Sequence, residues 1–544
     1  MRPRTHELSR GLDQTSDSHF TQGRFGRLFR HLKSADFAPA DNRDDAEKNA
    51  AARAGKYGPA KAEKNGPAKP GENGPLDVLK ALAAQMEAKS KPIDGPIPAG
   101  YTYLGQFIDH DLTFDPVSSL QRDNDPASIV DYRTPRFDLD CLYGRGPADN
   151  PYFYRDDGVR MRLGRRLNNR MKDLGYDVPR PPEPDPRSPN KNDSEKAIIA
   201  DPRNDENVII AQLHALFLQF HNRLVDIFEA KAGKTPTFAD VQQQVRWHYQ
   251  WIVLYDFLPR VIDDGIYKEV LPHVTKDKKK VLESPLTPTQ TDAGYEPVLK
   301  FYQPEEEAFI PVEFSGAAYR FGHSMVRDNY RLNTNKDPGI GGPLAILSKD
   351  KDSKMDLRGF RSFRNDWGIE WGLFFEGLDE LEPQRSLRID TSLATALRDL
   401  PFPFLGDMPS LAERNLVRGW RLRLPSGQTL AHALGAVPLT EEDLRVGGSV
   451  YLRKVSEAFH NNAPLWFYIL AEAAKSGERG TLGPVGSRIV METFIGLLWE
   501  DGHSFLRQNP RWKPMTEPFG MTEFIKFARG EKTSINAKAA GFIL

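Results

Sequence analysis

The segment Gly105–Leu112 (GQFIDHDL) places an amide, two carboxylates and an imidazole close together in the chain. If it is a helix, Gln106, Asp109 and His110 fall at i, i+3 and i+4 and share one face. Asp111 is then rotated by about 100° from His110 and points elsewhere. A neutral imidazole accepts and returns protons, so this face could perform general acid–base chemistry. A polar helix surface is the commoner meaning of a single histidine, and the residue types alone leave both alternatives open.

A second group of oxygen ligands lies in the stretch TPRFDLD, which offers Thr134, Asp138 and Asp140 at even spacing. In an extended loop every second side chain faces the same way, so these oxygens would converge. Calcium takes six to eight hard oxygen ligands, including backbone carbonyls. The pattern allows a calcium site, although an Asp-rich surface turn is its more common meaning.

The stretch DPRNDE is typical of a helix start, with Asp201 as the N-cap and Pro202 at the first position. Arg203 and Glu206 lie at i and i+3 and would share a face. A structural ion pair is the simplest interpretation of these two residues.

The elements that must position these residues are mostly helical. Residues 207–229 carry apolar side chains at i, i+3 and i+4, and similar patterns occur near 241–258, 451–475 and 488–507. Alternation of the kind expected for strands is scarce. The sequence therefore predicts a mainly α fold.

Composition divides the chain into three parts. Residues 1–43 form a polar segment, residues 44–75 a Gly/Pro/Lys-rich linker that cannot build a core, and residues 76–544 one domain. A Pro-rich loop at 179–189 separates two helical blocks within this domain.

Charge and cysteine content exclude several classes of protein. The formal net charge of −1 gives no reason to expect a nucleic-acid partner. The single cysteine, Cys141, forms no intramolecular disulfide and is expected to be buried. The N-terminus lacks the apolar region of a signal peptide, and no apolar run approaches the roughly 18 residues of a membrane span. We expect a cytoplasmic protein or one exported without a leader.

The string YLGQFIDHDLTFDP resembles the distal haem motif of the animal-type peroxidases, in the peroxidase–cyclooxygenase superfamily. The resemblance implies a mainly α fold with haem b buried between distal and proximal helices. It implies that His110 is the distal base and that Gln106 is its neighbour in the peroxide pocket. Asp109 would form an ester with the haem, and Asp111 would bind calcium.

Four further motifs match the family in its order. The resemblance implies that Thr134, Asp138, Asp140 and the carbonyl of Arg136 complete the calcium site. Asp140 stands where mammalian members usually have serine. Arg203 would be the catalytic distal arginine and Glu206 the second ester. In the proximal motif AAYRFGHS the iron ligand would be His323, and Arg320 would be a further haem-binding residue. The stretch RNLVRGWRLRLP supplies Asn415, the hydrogen-bond acceptor for His323, and a propionate-binding arginine, Arg418.

The family implies a peroxidase that uses hydrogen peroxide, through a ferryl haem, to oxidise iodide, bromide, thiocyanate or phenols. One alternative is a fatty-acid dioxygenase of the cyclooxygenase type. Those enzymes carry a radical-forming tyrosine three residues before the proximal histidine, where this chain has Arg320, as peroxidases do. The other alternative is an adhesion protein that keeps the fold without turnover. Asn207 follows Glu206 where the chloride-oxidising member has methionine, so poor chloride oxidation is expected.

Overall fold

The computed structural model describes residues 23–37, 74–87, 93–114, 130–181, 195–272, 296–305, 307–337, 341–350, 353–400 and 408–531. These residues form a mainly helical fold, as the sequence predicts. The helices are α1 Pro75–Met86, α2 Gly100–Leu112, α3 Asp140–Tyr143, α4 Val208–Ala232, α5 Phe238–Ile252, α6 Leu258–Val261, α7 Asp264–Val270, α8 Val312–Gly316, α9 Leu411–Arg421, α10 Gly427–Ala433, α11 Leu452–Val455, α12 Leu465–Ala474, α13 Pro484–Glu500, α14 Phe505–Gln508 and α15 Met521–Ala528.

The strands are short. They are β1 Gly23–Gly26, β2 Asp94–Pro98, β3 Val130–Asp131, β4 Arg166–Asn168, β5 Asp173–Tyr176, β6 Ile310–Pro311, β7 Asn329–Tyr330, β8 Leu344–Ala345, β9 Arg385–Leu387, β10 Arg445–Val446 and β11 Val450–Tyr451. Among the described residues they pair as one three-stranded sheet, β3-β1-β6, and four two-stranded sheets.

Helix α4 is the longest helix among the described residues, and most of its length is buried. The Asn207 side chain caps its first turn by accepting hydrogen bonds from the amides of Ile209 and Ile210, which would otherwise lack partners. The helix ends at Gly233, whose φ of 66° favours glycine. The helix predicted for residues 207–229 is confirmed, and its aromatic face packs on the C-terminal helix α15 through Phe220 and Phe524.

The other predicted helices differ in their bounds. The segment 241–258 continues from α5 into a π-helical turn, Val253–Phe257. The segment 451–475 is not continuous, because Asn461 takes a φ of 49° and Pro464 cannot donate the hydrogen bond of a helix interior. The segment 488–507 is not one helix either: α13 begins earlier than predicted, at Pro484, and ends at Glu500, and the separate helix α14 covers Phe505–Gln508.

Part of the polar N-terminal segment packs on the main body. Strand β1 pairs antiparallel with β3 and parallel with β6. Phe25 and Phe37 are buried, and the amide of Ala35 donates to the carbonyl of Leu424. Residues 44–73 of the predicted linker and 182–189 of the Pro-rich loop lie outside the described residues. The division at residues 43 and 75 therefore stays a prediction.

Candidate active site

Helix α2 carries the first group of site residues. Its predicted helical conformation is confirmed over Gly100–Leu112. His110 is 4% exposed and Asp111 fully buried, whereas Gln106 and Asp109 are half-buried. As expected from the spacing, Asp111 leaves the face of His110 and joins a separate group of carboxylates.

The imidazole of His110 is held from the neighbouring 3₁₀ turn, Pro202–Asp205. Its Nδ1 lies 2.8 Å from Oδ1 of Asn204, which is fully buried. Burial, assisted by the positive charge of Arg203, lowers the pKa of His110 to about 4. The ring is therefore neutral near pH 7, which is the state a general base requires.

Arg203 lies beside this histidine and is oriented by a carboxylate. Its Nη2 donates to the carbonyl of His110 at 3.0 Å and to Oδ2 of Asp201 at 2.7 Å. Asp201 caps the turn, as predicted, and also forms an ion pair with Arg133. Burial alone would raise the pKa of Asp201, but Arg203 and Arg133 hold it far below its usual range. The two arginines flank Phe114, with the guanidinium of Arg203 4.7 Å from the ring centre.

The two candidate ester carboxylates are half-buried and lie on this same side. Gln106 Nε2 donates to Oε2 of Glu206 at 3.1 Å. Burial raises the pKa of Glu206 to about 7. Asp109 accepts a hydrogen bond at Oδ1 from the hydroxyl of Thr113, at 3.1 Å.

The proximal motif forms a 3₁₀ segment, Ala318–Met325, that carries His323. Asn415 on α9 places its amide group 2.8 Å from Nδ1 of His323. In this structure the side-chain nitrogen of Asn415 faces Nδ1, whereas the sequence predicts an acceptor at this position. A 180° rotation of the side-chain amide would bring its oxygen to face Nδ1. Arg320 Nε donates to the carbonyl of Ser315 at 2.7 Å. Arg418, one helical turn beyond Asn415, is half-buried.

The distal and proximal segments are in contact. The hydroxyl of Tyr319 donates to the carbonyl of Gly105 at 3.2 Å. Burial and the Arg320 charge lower the pKa of His323 to about 3, and the negative charge of the Asp109 carboxylate partly opposes this shift. A Cβ on Gly322 would meet no atom within 4 Å.

These observations fit a haem between the two segments. With the Asn415 amide turned so that its oxygen accepts from Nδ1–H, neutral His323 would have a lone pair on Nε2 for iron and a partner that sets its orientation. The half-buried carboxylates and the open space beside Gly322 would border the ring. Arg418 and Arg320 are the cations that the sequence assigns to its periphery.

The predicted calcium ligands also converge. Asp111, Asp138 and Asp140 are buried and offer oxygens that lie within 4.8 Å of one another. Two oxygens on one calcium ion lie at most about 5 Å apart, because each bond is 2.3–2.6 Å long. Both oxygens of Asp111 and Oδ1 of Asp140 are buried with no hydrogen-bond partner of normal geometry. Burial and the Asp138 carboxylate raise the pKa of Asp111 to about 7. A bound cation would remove this electrostatic cost, so the donor set fits calcium.

The path of the loop differs from the extended one expected. Leu139, between the two aspartates, takes a φ of 59°, and Asp140 begins the short helix α3. The left-handed residue, rather than strand-like alternation, turns both carboxylates inward. Thr134 is buried and donates its hydroxyl to Oδ2 of Asp138 at 2.9 Å. Arg136 lies in the same loop and is half-buried.

We expect metal analysis of protein purified without chelator to find about one calcium per chain. Removal of the ion should lower the melting temperature, because three buried carboxylates would then repel one another. Asp111→Asn should weaken calcium binding. Asp131→Asn changes a buried carboxylate outside the cluster of three and should leave calcium content unchanged. Protein without calcium, or equal loss in both variants, would contradict the site.

Three residues around His110 have roles that the sequence did not predict. Arg133 and Asp201 orient Arg203, although Asp201 was identified only as a helix cap. Asn204 contacts both His110 and the buried His214 of α4. The only available signal was the concentration of polar residues in DPRNDEN, and it does not tell which side chain turns toward the histidine.

Comparisons with known proteins concern the family and the fold. A family model described as animal haem peroxidase matches residues 118–346, which include the candidate calcium loop, Arg203 and His323. Heme peroxidase 2 of Caenorhabditis elegans is 24% identical over 288 residues, 43% of this chain and 36% of that protein. Thyroid peroxidase of Rattus norvegicus is 25% identical over 156 residues, 28% of this chain and 14% of that protein. The chain thus matches well under two thirds of the length of either relative.

Solved structures share the fold over most of their length. Peroxidase A from Dictyostelium discoideum superposes with a TM-score of 0.55 at 18% identity, covering 85% of this chain and 87% of that one. Fatty acid alpha-dioxygenase from Oryza sativa gives a TM-score of 0.56 at 13% identity, with 86% and 81% covered. No helix among the described residues is long and apolar enough to cross a membrane.

Proposed function

We propose that this chain, a relative of the animal-type haem peroxidases of the peroxidase–cyclooxygenase superfamily, reduces hydrogen peroxide at a haem and oxidises small anionic or phenolic reductants. One observation carries the proposal. A neutral, buried His110 lies beside Arg203, and the segment that carries the His323–Asn415 pair contacts the helix of His110 through the Tyr319–Gly105 hydrogen bond. Peroxide cleavage needs three groups from the protein: a general base, a fixed cation, and a metal ligand whose orientation is set by a hydrogen-bond partner.

Each residue then has a separate task. A haem bound here would supply the redox-active iron. His110 takes a proton from the first oxygen of peroxide and returns it to the second, which leaves as water. Arg203, held by Asp201, stabilises the negative charge that develops on the departing oxygen. Asn415 orients the ring of His323. Gln106 and Glu206 keep a polar edge on the pocket where small anions would enter.

A fatty-acid dioxygenase is the second candidate, because alpha-dioxygenases share the fold. The position three residues before His323 is Arg320, whose guanidinium is fixed by Ser315. The hydroxyl of the adjacent Tyr319 donates a hydrogen bond to the Gly105 carbonyl on the distal side. Incubation with palmitate and oxygen tests this alternative directly. Formation of an oxygenated fatty acid without added peroxide would favour it over a peroxidase.

The peroxidase proposal is tested by stopped-flow reduction of the peroxide-treated enzyme with each candidate donor. Iodide, thiocyanate, bromide and phenols should react readily, and chloride at neutral pH should react poorly. Asn207 cannot form the sulfonium link that raises oxidising power in the chloride-oxidising member of the family. No spectral change on addition of peroxide would reject the proposal and favour the adhesion alternative.

A matched variant separates this explanation from others. Asn207→Met restores the sulfur and should raise chloride oxidation relative to bromide. The change removes the cap of α4, so a loss of about 1 kcal/mol in folding stability should accompany it. Rapid chloride turnover by the unchanged enzyme would contradict the argument from Asn207.

Covalent attachment of haem belongs to the same proposal, since Asp109 and Glu206 both lie on the distal side. Peroxide-treated protein should retain haem through acid–acetone extraction. The double variant Asp109→Asn with Glu206→Gln should release it. Asp205→Asn, which alters the neighbouring carboxylate paired with Arg180, should still retain it. Free haem from the treated unchanged protein would argue against both ester links.

A further inference from the structure

Three buried side chains form a hydrogen-bonded chain that leads away from the distal face. Nδ1 of His110 lies 2.8 Å from Oδ1 of Asn204, and Nδ2 of Asn204 lies 3.1 Å from Nδ1 of His214. Asn204 is fully buried, His214 is 1% exposed and His110 is 4% exposed. Water therefore has little access to compete for these contacts.

The donors and acceptors among these three hydrogen-bonded side chains depend on one another. An amide oxygen only accepts and an amide nitrogen only donates, so the orientation of Asn204 determines the hydrogen on both rings. With its oxygen toward His110, the His110 ring must donate from Nδ1, and His214 must accept at Nδ1. With the amide reversed, His110 would carry its hydrogen on Nε2 instead. Only the first arrangement leaves a lone pair on Nε2 of a neutral His110.

The backbone holds Asn204 where it can make both contacts. It lies in the 3₁₀ turn that Asp201 caps, and its backbone N–H donates to the backbone carbonyl of Asp201 at 3.1 Å. The same turn presents Arg203. His214 lies on the long helix α4, and its ring packs edge-on against Phe107 of α2. The turn and two helices thus fix all three side chains.

We propose that Asn204 and His214 are positioning residues that keep the hydrogen of His110 on Nδ1, so that Nε2 is always ready to accept a proton from peroxide. This inference rests on the proposed function, because it deepens the role of His110. Neither positioning residue needs to touch the substrate. The two act together, since Nδ1 of His214 can accept from Nδ2 of Asn204 and so supports the amide orientation that turns Oδ1 toward His110.

The first test measures the tautomer without turnover. Protein labelled with ¹⁵N-histidine is studied by NMR as the diamagnetic ferrous carbonyl form, and the His110 signals are identified by their loss in His110→Gln. We expect the Nδ1–H form in the unchanged protein. Asn204→Leu should shift the population toward Nε2–H. A hydrogen on Nε2 in the unchanged protein would overturn the inference, whether or not Asn204→Leu folds.

The second test measures the rate of the reaction with peroxide. Asn204→Leu should slow it by about 10- to 100-fold, the usual effect of removing the partner that orients a reactive histidine. Asn204→Asp keeps an oxygen toward Nδ1 and should recover most of the rate. A merely structural role would not be rescued selectively by an acceptor. Equal rates in Asn204→Leu and the unchanged enzyme would reject the proposal.

A matched pair on α4 controls for damage to the helix. His214 and His221 are both buried, and burial lowers the pKa of each, to about 3 and about 4. His221 instead contacts Tyr143 and the Val159 carbonyl. His214→Leu should slow peroxide cleavage and alter the His110 tautomer, whereas His221→Leu should change neither. Equal slowing by both variants would count against the proposal. If peroxide does not react even with the unchanged enzyme, the proposed function fails, while the NMR result still decides the tautomer.

Discussion

Replacement of His110 by alanine is expected to slow the reaction with hydrogen peroxide by about 10²–10⁴-fold, the usual contribution of a general base. The methyl group cannot accept the proton that peroxide must lose. Arg203 keeps its ion pair with Asp201 in this variant, so its charge remains in place. Haem should stay bound, because the proximal side is unchanged. Stopped-flow absorbance at the Soret band measures the rate.

His248→Ala is a matched control for this substitution. His248 is also fully buried, and burial lowers its pKa to about 4, but its ring contacts the Gln244 carbonyl and the Met515 amide instead. Its loss should reduce folding stability and leave the peroxide rate of the folded protein unchanged. If His110→Ala reacted as fast as the control, another residue would have to be the base.

Replacement of His323 by alanine should remove the protein ligand of the haem iron. We expect haem to be lost on gel filtration or, if ester links retain it, a shifted Soret band with little peroxidase activity. Added imidazole should restore part of the original spectrum, since it can fill the space of the missing ring and offer the same nitrogen.

The imidazole rescue separates ligation from folding. His432→Ala, at an exposed position on α10, should behave like the unchanged protein. An unchanged Soret band and full activity in His323→Ala would remove the proximal assignment. Loss of haem without imidazole rescue in a folded variant would also contradict direct ligation.

The sequence predicted those parts of the site that depend on local spacing. The shared face of Gln106, Asp109 and His110 follows from helical periodicity, and α2 has that conformation. The cluster of Asp111 with Asp138 and Asp140 was anticipated from the family resemblance, with the last two placed in an extended loop. The conformation of Leu139 could not be foreseen, because non-glycine residues rarely adopt positive φ.

Contacts that depend on tertiary structure were missed. Asn204 meets His110 only because a 3₁₀ turn precedes α4, whereas the sequence pattern indicated an ordinary helix start. The break at Asn461 in the segment predicted to be one helix likewise comes from the backbone rather than from apolar spacing. Polar residues in turns hydrogen-bond in several ways, and packing selects among them.

The packing of residues 23–37 on distant parts of the chain limits the order in which the protein can fold during synthesis. Strand β1 pairs with residues 310–311, the ring of Phe37 packs edge-on against Phe459, and Asn462 donates to the carbonyl of Asp36. None of these contacts can form before the ribosome has made the later partner. This segment therefore waits for residues that are made much later, and such distant pairings slow folding. Until they form, Phe25 and Phe37 stay exposed to other chains and to chaperones.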